Sequence, residues 1–97
     1  MIPKNPARTL LDAAPDDLAA LFASVQRMAG AAKRAMAADG LTIQQFNEPA
    51  GGQVVFHLHV HVLPRWNGVA LRPHTGEMAP QDVLQAHAAK IRAALPA

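Results

Sequence analysis

The stretch QVVFHLHVHVLP, residues 53–64, places three histidines at every second position with apolar residues between them. Side chains alternate between the two faces of a β-strand, so this stretch predicts a strand with two different faces. One face is apolar and is expected to lie against a core. Its residues are Val54, Phe56, Leu58, Val60 and Val62. The opposite face carries Gln53, Val55, His57, His59, His61 and Leu63. Pro64 is expected to end the pairing of the strand.

The segment before this strand predicts a second strand and a long helix. Residues 41–47, LTIQQFN, predict a strand that pairs antiparallel with the histidine strand, and EPAGG turns the chain between them. Residues 15–39 predict a helix, because apolar residues recur at three- and four-residue spacing within 18–36. Gly40 follows at the position of a helix stop.

Composition and the remaining segments limit the class of protein. The chain has 97 residues, of which 51% are hydrophobic, and this favours one globular domain. Residues 67–79 predict a loop and residues 80–94 a last helix. The net charge of +2 is spread along the chain, so no nucleic-acid partner is expected. Neither a signal peptide nor a membrane-spanning run is present, so we expect no membrane partner and a cytoplasmic location.

Three interpretations of the histidine row stay open from the residues themselves. The first is a row of ordinary surface histidines. The second is a metal site, although the Cα atoms of the outer two histidines would lie roughly 13 Å apart along a strand. The chain has no cysteine, and no Asp or Glu in this strand would complete a ligand set. The third is phosphate chemistry, since an imidazole can act as a neutral nucleophile beside proton donors.

The stretch GGQVVFHLHVHVLPR resembles the signature of the histidine triad (HIT) family, His-x-His-x-His followed by two apolar residues, with x apolar. The similarity includes Gly52 and Gln53 before the triad and Pro64 and Arg65 after it. It extends back through QQFNEPAGGQ and the helix to MIPK, so residues 1–97 are interpreted as one HIT domain. The resemblance implies an α+β fold, in which an antiparallel sheet carries one long helix and a C-terminal helix.

The resemblance also implies a role for each site residue. His59 matches the histidine that attacks the α-phosphate, and His61 matches the one that contacts the phosphate and helps the leaving group. His57 supports the arrangement from within. Gln53 and Asn47 match positions that reach the phosphate or the ribose. These roles agree with elementary chemistry, because a nucleophilic imidazole needs its far nitrogen protonated and held, and a neighbouring imidazolium offsets charge on phosphoryl oxygens.

The function implied is that of a nucleotide-binding hydrolase or transferase. It would cleave nucleoside phosphoramidates or dinucleoside polyphosphates at the α-phosphate through a nucleotidyl-histidine intermediate. No cofactor is required and no metal ligand is assigned, although a divalent cation could accompany polyphosphate substrates. The alternative is a non-catalytic nucleotide-binding HIT module with an incomplete pocket. A homodimer is expected, because the apolar stripe within 18–36 is longer than one covered sheet face needs.

Two departures from the family pattern bear on the chemistry. Val54 stands where many members have Ser or Thr, whose hydroxyl can serve the leaving group, so His61 becomes the main candidate proton donor. Family members also carry strands and a fourth histidine before the Pro-Lys segment, and the chain is therefore expected to be an N-terminally short HIT domain. For Arg65 the sequence leaves open a contact with phosphate or a structural salt bridge, and Trp66 is expected to pack.

Overall fold

A computed structural model describes residues 1–70 and 80–95. Its elements follow one another as helix α1, strand β1, a short 3₁₀ turn, strand β2 and helix α2. Their bounds are Pro15–Ala35 for α1, Gly40–Gln44 for β1, Pro49–Gly51 for the turn, His61–Arg65 for β2 and Gln81–Ala94 for α2. The two strands pair antiparallel, and this confirms the predicted α+β class. Within the described residues, neither helix is both long and apolar enough to span a bilayer.

Helix α1 begins at the predicted proline but ends four residues earlier than predicted. Asp16 and Asp17 lie in its first turn, where carboxylates favour the positive end of the helix. At the other end Ala37 adopts a left-handed φ of 49°. Its N–H bonds to Arg34 O at 3.3 Å, while Ala38 N–H bonds to Lys33 O at 3.0 Å. This pair of bonds is the Schellman arrangement. Ala37 therefore supplies the left-handed residue after the helix, a position that glycine usually occupies.

The indole of Trp66 closes the end of α1. Its Nε1–H donates to Met36 O at 3.2 Å and to Ala37 O at 3.1 Å. Carbonyls in the last turn of a helix have no partner within the helix, so a side-chain donor satisfies them. The packing role expected for Trp66 therefore includes a polar contact that ties the end of β2 to α1.

The hairpin is shorter than predicted. β1 and β2 pair over five residues each, from Gly40 opposite Arg65 to Gln44 opposite His61. The predictions of strands over 41–47 and 53–64 were therefore too long. Pro64 does not end the pairing, because it lies inside β2 opposite Leu41. Alternate N–H groups of a strand point away from its partner strand. Proline, which has no N–H, is tolerated at such a position on an edge strand, and Pro64 can therefore lie within β2.

The residues just before β2 bond instead to the first residues of the chain. Val60 N–H donates to Met1 O at 2.8 Å, and the amino group of Met1 donates to Val60 O at 2.7 Å. Leu58 N–H donates to Ala7 O at 2.7 Å. The reciprocal bonds between Met1 and Val60 are those of an antiparallel strand pair. The N-terminal segment thus lies beside the histidine row, on the opposite edge from β1.

The core lies between α1 and one face of the histidine segment. Its buried residues are Leu21, Val25, Leu58 and Val60, with Val62 packed against them. The predicted alternation is thus confirmed from Leu58 to Val62. It was wrong for Val54 and Phe56, whose side chains are 84% and 52% exposed. These two residues lie between the 3₁₀ turn and β2, where the chain is not part of a regular strand.

Helix α2 confirms the prediction for residues 80–94 to within one residue at its start. It packs beside α1, where Arg34 Nη2 donates to Ala94 O at 2.8 Å. None of its described side chains is fully buried. The loop predicted at 67–79 falls partly on residues 71–79, which lie outside the described residues.

Candidate functional site

The three histidines lie together on the face that does not contact the core. His61 opens β2, while His57 and His59 precede it, and all three are half-buried. The rings of His59 and His61 meet edge to face, with centroids 4.8 Å apart at 83°. The ring of Phe46 lies 6.3 Å from that of His61. Burial of Leu58 and Val60 on one face therefore presents two adjacent imidazoles on the other.

A backbone contact determines which nitrogen of His59 carries the proton. Nδ1 of His59 lies 2.6 Å from the carbonyl oxygen of His57. A carbonyl oxygen can only accept a hydrogen bond, so Nδ1 must be the protonated nitrogen of the neutral ring. Nε2 then carries the lone pair. His59 is thus held in the tautomer that a nucleophile requires, with its far nitrogen bonded and its near nitrogen available.

His57 acts on His59 through its backbone rather than through its ring. Its carbonyl oxygen accepts the proton of His59 Nδ1. Its own Nε2 is buried and has no hydrogen-bond partner among the described residues. The supporting role expected for His57 in the chemistry stays a prediction.

Gln53 is built into the connection between the two strands. Its side chain is 3% exposed. Its Oε1 accepts from Glu48 N–H at 2.7 Å, and its Nε2 donates to Arg8 O at 2.8 Å and to Val55 O at 3.0 Å. Both amide hydrogens are thus bonded to carbonyls of the protein. The observed role of Gln53 is to hold the loop before the histidines, and its contact with phosphate stays a prediction.

Asn47 is held in a similar way. Its Oδ1 accepts from Leu10 N–H at 2.8 Å and from Gln45 Nε2 at 2.8 Å, and its Nδ2 donates to Gln45 Oε1 at 2.8 Å. The side-chain amides of Gln45 and Asn47, two positions apart in sequence, therefore bond to each other in both directions. The contact of Asn47 with phosphate or ribose stays a prediction as well. Gln45 was missed in the sequence, although its spacing from Asn47 places both side chains on one face of an extended segment.

Arg8, in the N-terminal segment, is a further residue near the histidines that sequence reasoning missed. The guanidinium of Arg8 lies 4.7 Å from the ring centre of Phe56 and forms an ion pair with Glu48 at 3.4 Å. Both contacts are exposed, so each is worth little stability by itself. Together with the bond from Gln53 to Arg8 O, they join residues of the N-terminal segment to the loop before the histidine row.

Arg65 lies at the far end of the same face. Its Nε donates to the hydroxyl of Thr42 across the hairpin at 3.2 Å. Arg8 with Glu48 is the one ion pair among residues 1–70 and 80–95, so no described carboxylate pairs with Arg65. The sequence left open a contact with phosphate or a salt bridge, and within the described residues Arg65 forms no salt bridge. The same residues contain no group of three metal-ligating side chains arranged to hold an ion.

Comparison with known proteins gives consistent results. A family model described as HIT domain matches residues 1–68. An uncharacterized HIT-like protein of Mycobacterium tuberculosis is 39% identical over 82 residues, which are 84% of this chain and 57% of the relative. Adenylylsulfatase HINT3 of Arabidopsis thaliana is 33% identical over 81 residues, which are 77% of this chain and 41% of the relative. The chain thus spans about half the length of these two curated relatives.

A solved structure is similar over almost the whole chain. It is described as a Hit-like protein involved in cell-cycle regulation from Bartonella henselae, with an unknown ligand. It superimposes with a TM-score of 0.90 at 47% sequence identity, and the match covers 97% of this chain and 68% of that one.

Proposed function

The chain belongs to the HIT domain family, and from this premise we propose that it is a nucleotide hydrolase or transferase that acts at an α-phosphate through a nucleotidyl-histidine intermediate. The observation that carries the proposal is the bond between His59 Nδ1 and His57 O at 2.6 Å. Because it keeps the proton on Nδ1, the lone pair of Nε2 is available to attack phosphorus. A surface histidine row would not require such a contact.

The reaction would proceed in two steps. In the first, Nε2 of His59 forms a bond to the α-phosphorus, and the bond from phosphorus to the leaving group breaks. The leaving group keeps the electron pair and takes a proton from His61. In the second step a water molecule attacks the phosphorus and gives a proton to His61. The N–P bond then breaks, which releases a nucleoside monophosphate and restores His59.

Two observations support His61 as the proton donor. Its ring meets that of His59 edge to face at 4.8 Å, so a group leaving the phosphorus beside His59 would lie near it. Val54, at the position where many relatives have a hydroxyl, is 84% exposed and has no polar side-chain atom. The proposed division of labour is therefore His59 as nucleophile and His61 as general acid and then base.

The resemblance and the relatives narrow the substrate to test first. The Arabidopsis relative is named an adenylylsulfatase. This supports adenosine as the nucleoside and a substituted adenylyl group as the substrate class. We propose nucleoside phosphoramidates or dinucleoside polyphosphates as substrates, with no required cofactor. A divalent cation would enter only with a polyphosphate. Gln53 and Asn47 are retained as proposed binding residues for the phosphate or ribose.

Incubation of the protein with labelled adenosine phosphoramidate tests the proposal. We expect release of AMP, and acid-sensitive label on the protein after rapid alkaline quenching, because an N–P bond is stable in base. Mass spectrometry of the digested protein should place this label on His59. Binding of AMP without turnover of any substituted adenylate would instead identify a non-catalytic nucleotide-binding module and contradict the proposed enzyme.

We further propose that the chain forms a homodimer. β1 pairs with β2 along one edge, and no described strand pairs with its other edge. Large apolar side chains on both β1 and α1 are exposed, with Ile43 of β1 at 44% and Phe22 of α1 at 38%. Open edges with apolar neighbours favour pairing with another chain. Sedimentation equilibrium at micromolar concentration should give twice the mass of one chain, and a folded monomer at that concentration would contradict the proposal.

A further inference from the structure

Arg65 lies beyond His61 on the face that carries the histidines, and its guanidinium has donors that no described carboxylate accepts from. We propose that Arg65, positioned by Thr42, binds a phosphate of the leaving group beyond the α-phosphate, and so selects substrates whose leaving group is a phosphate chain. The inference rests on the proposed function, since it assigns the leaving-group side of the same site. It names Arg65 as a specificity-determining residue.

The register places Arg65 on the same face as the catalytic histidines. His61, Leu63 and Arg65 occupy alternate positions of β2, so their side chains point to one side of the sheet. Their spacing puts the Cα atoms of His61 and Arg65 roughly 13 Å apart. The other face at this end holds Trp66, whose indole bonds to the end of α1.

The contact with Thr42 turns the side chain of Arg65 toward the site. Thr42 is the cross-strand partner of Leu63, which lies between His61 and Arg65. Because Arg65 Nε donates to the Thr42 hydroxyl at 3.2 Å, the side chain leans back along the strand toward His61. The guanidinium then lies at the level of Leu63, about 7 Å along the strand from His61. A short phosphate chain that begins at His59 and passes His61 would end near this position.

The chemistry of the guanidinium fits this ligand. The bond to Thr42 uses Nε and leaves four N–H donors on the two terminal nitrogens. No described carboxylate neutralises them. The planar pair of terminal nitrogens matches two oxygens of a phosphate.

The competing explanation is that Arg65 serves only to tie β1 to β2. The two explanations differ in what they predict for ligands of different length. AMP ends at the α-phosphate and cannot reach Arg65 from His59, whereas ATP carries two phosphates beyond it. If Arg65 serves only the fold, its replacement should weaken the binding of AMP and ATP to the same extent. A phosphate subsite would affect ATP alone.

The experiment compares AMP and ATP binding by calorimetry in the His59→Asn background, which prevents turnover. We expect Arg65→Gln to weaken ATP binding about tenfold or more, the loss of a charge-assisted contact, and to leave AMP binding unchanged. Arg65→Lys keeps the charge but loses the planar pair of terminal nitrogens. Its affinity for ATP should lie between those of the Arg65 protein and the Arg65→Gln variant. Thr42→Val, which removes the positioning contact, should also weaken ATP more than AMP.

Turnover by the otherwise unmodified chain separates this inference from the proposed function. Arg65→Gln should lower kcat/KM for diadenosine tetraphosphate about tenfold or more and leave that for adenosine phosphoramidate unchanged. An equal change for AMP and ATP, no change for ATP, or no binding of ATP at all would overturn the subsite. Selective loss of ATP binding in a protein that turns over no substrate would support the subsite and refute the enzyme.

Discussion

Replacement of His59 by Asn is expected to lower turnover of adenosine phosphoramidate by about 10⁴-fold or more, because it removes the nitrogen that forms the covalent bond. The asparagine side chain is polar and of similar reach, but it has no basic ring nitrogen. AMP binding should persist, since the other half-buried groups on this face remain in place. The rate of AMP release at saturating substrate and a calorimetric titration with AMP measure the two effects.

His57→Asn is the matched control for this experiment. The proton of His59 Nδ1 is held by the backbone oxygen of His57, and the substitution keeps that oxygen. It removes the buried Nε2 that has no described partner. We therefore expect a smaller loss of turnover than at His59. A His59→Asn protein that retained the activity of the starting chain would show that the nucleophile is assigned incorrectly. Equal losses at both positions would contradict the division of roles between them.

Leu58→Ala is expected to reduce the free energy of unfolding by about 2–5 kcal/mol, the range for removal of a fully buried leucine. Leu58 is 0% exposed and packs with Leu21, Val25 and Val60. Its N–H also bonds to Ala7 O, so the cavity would lie between α1 and the segment that carries the histidines. Domains of this size have about 5–15 kcal/mol of stability in total. Urea unfolding followed by circular dichroism measures the change.

Val54→Ala is the control, because the sequence pattern places Val54 and Leu58 on the same face of one strand. The structure separates them, since Val54 is 84% exposed. Its truncation should change the free energy of unfolding by no more than about 0.5 kcal/mol, as for an ordinary surface position. A loss at Val54 comparable to that at Leu58 would show that Val54 is buried in the protein as it exists in solution.

Much of the site could be predicted from the sequence, because its determinants are local. Alternate positions on an extended chain share a face whatever the rest of the fold does, and this placed His57, His59 and His61 together. The start of α1 at Pro15 followed from a proline and two aspartates in the first turn. The motif around the histidines also indicated the family. None of these features requires knowledge of which distant residues meet.

Features that depend on distant partners could not be predicted. The resemblance implied a contact of Gln53 with phosphate, and that contact stays a prediction. The sequence did not indicate that its amide bonds to Arg8 O, 45 residues away, and to two backbone groups nearby. Trp66 caps a helix that ends about 30 residues earlier. A primary amide or an indole has the same donors in either setting. Tertiary packing decides which acceptors these donors meet within the protein.

Periodicity along the chain predicted the face that carries the imidazoles. The resemblance to the HIT family implied the α+β class and named His59 as the candidate nucleophile. The tertiary structure decided where the regular strand begins, which valines of the pattern are buried, and which nitrogen of His59 is bonded. It also bonds Arg65 Nε to the hydroxyl of Thr42 across the hairpin. The physical reason is that periodicity sets the side of the chain on which a group lies, while burial and hydrogen-bond partners depend on what packs against that side.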